Sequence, residues 1–411
     1  MNLLFIHQNF PGQYKHLASR YARLREHRIA HISTRTEELF PGALRGVYSL
    51  PETEGARGPL KRTEEAVQRG SAVAATAEDL KKRGFRPDVI CVHPGWGEAL
   101  YLHDVYPEAR QLHYCEFYFR AFGSSAHFDP REPVTLTSLA NVRNRNLVTL
   151  FSLAYCDWGV TPTRWQYEQF PGEHRHKLSL IHDGIDTRFC RPEPRPGIAL
   201  PDGTWLDAGT TEIVTYVARS LEPVRGFPTF MRAAAELTRR RPRCHILVIG
   251  DDSTSYGAPA PEGKTYREMM LEEVDIDRAR VHFLGRVPYG RFIEIFQLSR
   301  AHIYLTIPFV LSWSMLEAMA CGCLVVGSRT APVTEVIRDG ENGLLAGFFE
   351  PMEVAERVIE ALDHPDRMAP IRERARRTVV ERYDLARCLP AQMRLIESLA
   401  KGRRPQEVEA G

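Results

Sequence analysis

Arg219 and Arg225 bracket Ser220-Leu221-Glu222-Pro223-Val224, directly after the apolar run Ile213-Val214-Thr215-Tyr216-Val217. Two guanidinium forks on a loop at the carboxyl end of a strand suit a diphosphate, because each fork donates paired, charge-assisted hydrogen bonds. Farther on, Leu311-Ser312-Trp313-Ser314-Met315-Leu316-Glu317-Ala318-Met319-Ala320-Cys321-Gly322-Cys323 follows the β-like run Ala301–Leu305. A strand that enters a helix through small polar residues makes a phosphate cradle, since the first helical N–H groups lack intrahelical partners. Glu317, inside an otherwise apolar helix, can then reach a pair of neighbouring hydroxyls such as those of a ribose.

Other candidates cluster in the first half. Gly12, in Asn9-Phe10-Pro11-Gly12-Gln13, joins the first strand to the first helix and serves equally as a plain turn or as a ligand cradle; no G-x-G-x-x-G accompanies it. His7 and His93 close apolar strands at the end where α/β crevices open, a position that also suits a satisfied histidine at a core edge. Glu116 and His127 flank an aromatic insertion, Phe117 to Pro133, holding Phe119, Phe122 and Phe128. Its rings suit an active-site pocket, with Glu116, Phe119, Phe122 and His127 as the contacts, or else a local hydrophobic cluster. No histidine or cysteine has a metal-site spacing, so no metal is expected. The run Arg239-Arg240-Arg241 with Arg243 reads as a solvated helix terminus, with anionic lipid as the alternative.

These residues need a scaffold, and the βα rhythm supplies it. Strands are expected at Leu3–Ile6, Arg28–Ser33, Val47–Leu50, 87–93, 111–115, Trp158–Thr161 and 177–182, with helices at 13–24, 64–83, 137–154 and 163–170. A Pro/Gly-rich stretch, 191–208, marks the connection to a second series. The expected organisation is therefore a first Rossmann-like domain at 1–190, a connecting segment at 191–208 and a second Rossmann-like domain at 209–382. A terminal helix follows at 383–401 and a frayed tail at 402–411. The class is α/β, two open parallel sheets facing across a cleft.

Composition narrows the function. The chain has 411 residues, 43% hydrophobic and 26% charged, with a formal charge of +2. That excludes a disordered chain and gives no electrostatic preference for nucleic acid. No apolar run spans a bilayer and no secretory leader is visible, so a cytoplasmic location is expected. Eight cysteines are too few for a disulfide scaffold.

In this order the motifs resemble those of GT-B retaining glycosyltransferases of family 4. His182-Asp183-Gly184-Ile185-Asp186 resembles the family's Asn-Gly-Val/Ile-Asp turn, and Val217 to Gly226 its Gly-Arg-Leu…Lys-Gly segment with Arg225 in place of Lys. Phe283 to Val287 is similar to the strand-loop facing the donor base, and Glu317 to Gly322 to the Glu-Ala-Met-Ala-x-Gly helix. The resemblance implies a nucleotide-diphosphate-sugar donor held by Arg219 and Arg225, with Glu317 on the ribose. It further implies Val287 near the base, the backbone of Ser314 and Met315 at the β-phosphate, and Gly12 near the phosphates and sugar. His93 would position acceptor hydroxyls, and no obligatory metal is implied. The acceptor is left open among glycan, lipid-linked and small molecules; peripheral membrane contact and a homo-oligomer are also open. One departure is Phe309, where the family commonly carries a first glutamate. Two alternatives stay open: a GT-B nucleotide-sugar epimerase that hydrolyses its donor, sharing the same diphosphate logic, and, because of that departure, a non-catalytic glycan- or nucleotide-sugar-binding protein.

Overall fold

The computed structural model describes residues 1–50, 58 and 60–405. Two compact units result, one from Met1–Gly184 together with 386–405, the other from Ile185–Leu385. The first holds seven strands: β1 (Asn2–Ile6), β2 (Arg28–Ser33), β3 (Leu44–Val47), β4 (Val89–Val92), β5 (Arg110–Tyr114), β6 (Trp158–Thr161) and β7 (Leu178–Leu180). They pair in parallel, in the order β3-β2-β1-β4-β5-β6-β7. Because successive side chains point to opposite faces, β1 feeds two cores. Leu3 and Phe5 pack with Tyr14, Leu17 and Tyr21 and with Leu395, Ile396 and Leu399 of the helix Leu385–Ala400. Leu4 and Ile6 pack with Val73, Ala77 and Leu80 of the helix Lys61–Lys82. Each such fully buried side chain contributes about 1.5–3 kcal/mol.

The second unit repeats the plan. β8 (Gly197–Ala199) and β9 (Trp205–Asp207) form an antiparallel hairpin. Six parallel strands follow: β10 (Glu212–Ser220), β11 (Cys244–Asp251), β12 (Val281–Gly285), β13 (Ala301–Tyr304), β14 (Leu324–Ser328) and β15 (Leu344–Ala346). Their order is β12-β11-β10-β13-β14-β15. Tyr216 of β10 stacks on Phe230 of the helix Phe227–Arg240, with ring centroids 4.1 Å apart.

Three local differences from the sequence reading have physical causes. The stretch 191–208 carries the β8–β9 hairpin, whose Ile198, Leu200 and Leu206 pack on Ile213, Leu247 and Ile295 of the second unit. The helix expected over 137–154 is two, Leu136–Asn144 and Leu147–Tyr155. Between them Asn146 gives up its helical role: its side-chain amide donates to the Phe119 carbonyl (2.7 Å) and accepts from the Phe119 N–H (2.9 Å), fixing the aromatic loop. The edge strand lies at Leu44–Val47 rather than 47–50, where Ala30 pairs with Leu44 and Ser33 with Val47. Most of the loop expected after it, 51–57 and 59, lies outside the described residues, as do 406–411 of the expected tail.

Five of the buried histidines, His7, His31, His113, His182 and His302, are shifted by their burial. Burial lowers each from its ordinary value, to about 3 for His7, His113 and His302 and about 4 for His31 and His182. Each is neutral in the fold, so it contributes stability above the unfolded value near 6.5. That contribution erodes as pH falls toward the folded values, by up to about 1.4 kcal/mol per pH unit per histidine. Urea unfolding midpoints should therefore decline steadily between pH 6.5 and pH 4, and His302→Gln should make the decline shallower. A midpoint flat over that window would contradict the assignment of neutral buried histidines.

Candidate functional site

In the second unit the carboxyl ends of β10 and β13 lie at the point where the strand order reverses. After β10 the chain makes a short 3-10 turn, Pro223–Arg225, stopped by Gly226 at φ +66°. Gly226 is needed there, since a Cβ would lie 2.5 Å from the Leu305 side chain. This close approach delivers the Arg225 side chain to the end of β13. Its Nη1 donates to Thr306 Oγ1 (2.8 Å) and the Val310 carbonyl (3.0 Å). Thr306 is fixed in turn, with its carbonyl accepting from Ser328 and Thr330 hydroxyls. The rings of Tyr256 and Phe309 lie 5.5 and 5.6 Å from the guanidinium carbon and 5.1 Å from each other. Arg225 is thus a buried cation held by a hydroxyl, a carbonyl and two π faces. Among the described residues no carboxylate forms an ion pair with it.

Sequence reasoning missed two supports of this arrangement. Glu222 is fully buried, and its carboxylate accepts the backbone N–H of Tyr256 and of Gly257 (2.9 Å), which sets the Tyr256 ring. Ser220 bonds the hydroxyls of Ser253 and Ser255, tying the same loop to β10. A lone tyrosine in a Gly/Pro/Ser-rich loop was the available signal. Arg219 is exposed, one residue before the end of β10, and forms no ion pair among the described residues.

The helix Trp313–Ala320 starts at Ser312, whose hydroxyl accepts from the Ser314 N–H (3.4 Å) while its own N–H donates to the Tyr304 hydroxyl (2.8 Å). Met315 is sunk in the core, leaving its backbone as the feature at the helix start. Glu317 accepts from the Tyr289 hydroxyl at 2.7 Å. Tyr289, unnoticed in the sequence, stacks on Phe189 with centroids 5.4 Å apart. Burial and the Glu317 charge push the Tyr289 hydroxyl far above its ordinary value, so it stays a donor. Val287 sits on the loop after β12, its side chain against the core.

The first unit reverses its strand order between β1 and β4, where His7 and His93 stand. Gly12, at φ +47°, covers the His7 ring so closely that a Cβ would approach it to 2.6 Å. His93 Nδ1 accepts from the Gly95 N–H (3.2 Å), which leaves the proton on Nε2 to donate to Glu116 Oε2 at 3.3 Å. Gln13 donates to the other Glu116 oxygen (2.9 Å), and Gln166 donates to the Glu116 carbonyl (2.6 Å). Burial raises the Glu116 carboxyl, but the hydrogen bonds from His93 and Gln13 outweigh it and hold the group below its ordinary value. Trp96 stacks on His93 at 4.0 Å. Gly12, His93 and Glu116 therefore form one neighbourhood.

The rest of the aromatic insertion is braced by its neighbours in the first unit. Phe119 meets Phe117 edge-on at 4.9 Å and lies under the Arg145 guanidinium at 5.2 Å. Phe122 is 64% exposed and faces His127 at 5.8 Å. His127 braces the loop between the Ala121 carbonyl (2.9 Å) and the Ser138 hydroxyl (2.7 Å). Among the described residues none of these three side chains hydrogen-bonds the Glu116 carboxylate, and no group of three His, Cys, Asp or Glu is arranged to hold a metal.

Two parallel sheets of this order, each with polar groups gathered at its reversal point, define the GT-B fold class. Residues 25–190 match the glycosyl transferase family 4 group and residues 205–378 the glycosyl transferases group 1. The chain is a GT-B fold protein related to the family 4 and group 1 glycosyltransferases. It is 27% identical over 201 residues to a D-inositol 3-phosphate glycosyltransferase of Acidothermus cellulolyticus, covering 47% of this chain and 42% of that one. The chain thus spans less than half the length of the curated relatives it matches. Among solved structures, Anabaena HepE in complex with UDP and glucose superposes with a TM-score of 0.71 at 16% identity, over 97% of this chain and all of that one. Sucrose-phosphate synthase of Thermosynechococcus elongatus gives 0.70 at 15% identity, over 98% and 100%.

The two arginines differ in what their removal does to the fold. Arg225→Ala should cost about 1.5–3 kcal/mol, because Thr306 and Val310 lose a charged donor, and Arg225→Lys should restore part of it. Arg219→Ala should change stability by less than about 0.5 kcal/mol. Chemical denaturation of the three variants checks this; equal losses at both positions would contradict the burial difference.

Proposed function

We propose that the chain is a retaining glycosyltransferase that moves a sugar from a nucleotide-diphosphate donor to an acceptor hydroxyl, without an obligatory metal. The observation that carries this reading is Arg225: a buried cation without a carboxylate partner, beside a helix start, at a strand-order reversal. An anion completes such a site. As the sugar–phosphate bond breaks, negative charge grows on the leaving diphosphate. Arg225, Arg219 and the first N–H groups of Trp313–Ala320 favour that state over the ground state. They supply the charge stabilisation a divalent ion would otherwise give. We assign the ribose to Glu317, oriented by Tyr289, the base to the Val287 loop, and the β-phosphate to the backbone at Ser314 and Met315.

We assign the acceptor to the first unit, with Glu116 and His93 positioning its hydroxyl, Gly12 leaving room beside them and Phe119, Phe122 and His127 along its approach. In front-face attack the acceptor oxygen bonds the anomeric carbon as the phosphate oxygen leaves and takes the acceptor's proton. His93 then orients hydroxyls and is not the base. Eight cysteines, all buried, are too few for a disulfide scaffold, so we propose action in the cytoplasm. Among the described residues no helix is long and apolar enough to cross a membrane.

A second reading, a nucleotide-sugar-binding protein without turnover, is favoured by the Phe309 ring, which cannot accept a sugar hydroxyl's hydrogen bond. Calorimetric titration with UDP, GDP, ADP and dTDP, followed by turnover against an acceptor library, separates the two. One nucleotide should bind, and Arg219→Ala should weaken it roughly tenfold to a hundredfold without loss of fold. Glu317→Ala should weaken donor binding more than it lowers kcat. If none of the four nucleotides binds, the transferase assignment fails; binding without turnover supports the second reading.

A further inference from the structure

Parallel strands put all their amino ends on one edge of the first sheet, opposite His7, His93 and Glu116. On that edge Arg110 opens β5, Trp158 opens β6, and Lys177 precedes β7. The helix Leu385–Ala400 ends there too. Its end is closed by two backbone bonds, Gly402 N–H to the Leu399 carbonyl (2.9 Å) and Arg403 N–H to the Ser398 carbonyl (2.9 Å), with Gly402 left-handed. This reversal turns Arg403 and Arg404 back over the sheet edge. Between them lies a cavity of about 330 Å³ lined by Arg110, Asp157, Trp158, Lys177, Arg403 and Arg404, with His176 and Pro405 at its border.

The charge there is one-sided. Asp157 is the single carboxylate of the lining, and it is taken by Arg110 (2.8 Å) and the Gln111 N–H (2.8 Å). Lys177 donates to the Leu153 and Cys156 carbonyls, which leaves its positive charge in place. Arg404 lies over the Trp158 indole at 5.7 Å and donates once, to the His176 carbonyl (3.2 Å). Arg403 is exposed and makes no ion pair among the described residues. The other basic run of the chain is different. Arg239 pairs with Glu236, Arg240 with Glu356, Arg241 with Glu212 and Asp363, and Arg243 with Glu212. That run is neutralised by its own neighbours, and the lipid-contact alternative has no unspent charge to rest on there.

We propose that this cavity binds a phosphate monoester. Adjacent guanidinium forks match phosphate geometry, an ammonium adds a point charge, and the indole gives an apolar wall for a small organic group. The volume, at the small end of ligand sites, takes a phosphate with a glycerol-sized substituent. The same chemistry comes from a soluble metabolite or from the headgroup of phosphatidic acid. The site lies outside both constellations described above and does not depend on the transferase reading.

Calorimetry with glycerol 3-phosphate and flotation with phosphatidylcholine vesicles, with and without phosphatidic acid, test it on the full chain. The wild type should bind glycerol 3-phosphate, the phosphatidic acid vesicles, or both, which identifies the source. Arg403→Ala with Arg404→Ala should lose at least about tenfold in that affinity, and Arg403→Ala alone should lose less. Both variants should keep the wild-type thermal unfolding midpoint and nucleotide binding. The proposal is overturned if neither probe binds the wild type, or if the double variant binds as tightly. It is also overturned if sulfate binds as well as glycerol 3-phosphate, which would mark an adventitious ion only.

Discussion

The handedness of crossovers between parallel strands governs where chemistry can sit in this chain. A right-handed connection carries the chain from β1 outward to β2 and β3; to return and place β4 on the other side of β1, the next connections must cover the opposite face. Loops leaving β1 and β4 therefore diverge, and their carboxyl ends stand open between the helices. The same holds for β10 and β13. His7 and His93 occupy one such opening, Arg225 and Thr306 the other. None of these side chains is near its partner in sequence; the strand order alone brings them together.

What could be read in advance followed from how local the determinants are. Trp158–Thr161 and Arg28–Ser33 are apolar runs bounded by turn residues, and their limits need nothing from elsewhere. The helix Arg164–Gln169 begins at Thr163, whose hydroxyl accepts from the Gln166 N–H, a pattern complete within four residues. The break at Asn146 was illegible because its cause is the backbone of Phe119. The β8–β9 hairpin hid inside a proline-rich stretch that composition alone assigns to a linker. At the candidate site the arginines and Glu317 stand out in the sequence as charges after a strand and within an apolar helix. Their supports do not: Glu222 reads as an ordinary loop acid until its carboxylate is seen on the Tyr256 and Gly257 amides, and Tyr289 as one of many surface tyrosines.

Arg225 illustrates how a charge can be kept buried without being neutralised. Removing a cation from water is costly unless polar partners replace the lost solvation. Thr306, the Val310 carbonyl and the two rings do so while leaving the net charge in place. A carboxylate at position 309 would have cancelled it; the Phe309 ring tolerates it. The Phe309 ring thus preserves the electrostatic pull on an anion, at the expense of a hydrogen-bond acceptor beside it.

The discontinuity of the first unit bears on how the chain comes off the ribosome. Residues 185–385 hold everything the second sheet requires and can condense as soon as they emerge. The first sheet cannot finish: Leu3, Phe5, Val89 and Leu112 await Leu395, Ile396 and Leu399, which follow the whole second unit in the chain. Until then one face of those strands remains uncovered, through the entire translation of the second unit. The nascent chain carries an apolar surface over that interval, one that a chaperone must shield or that invites aggregation. Premature termination just before the final helix would leave that surface permanently exposed on a protein whose second unit is otherwise complete.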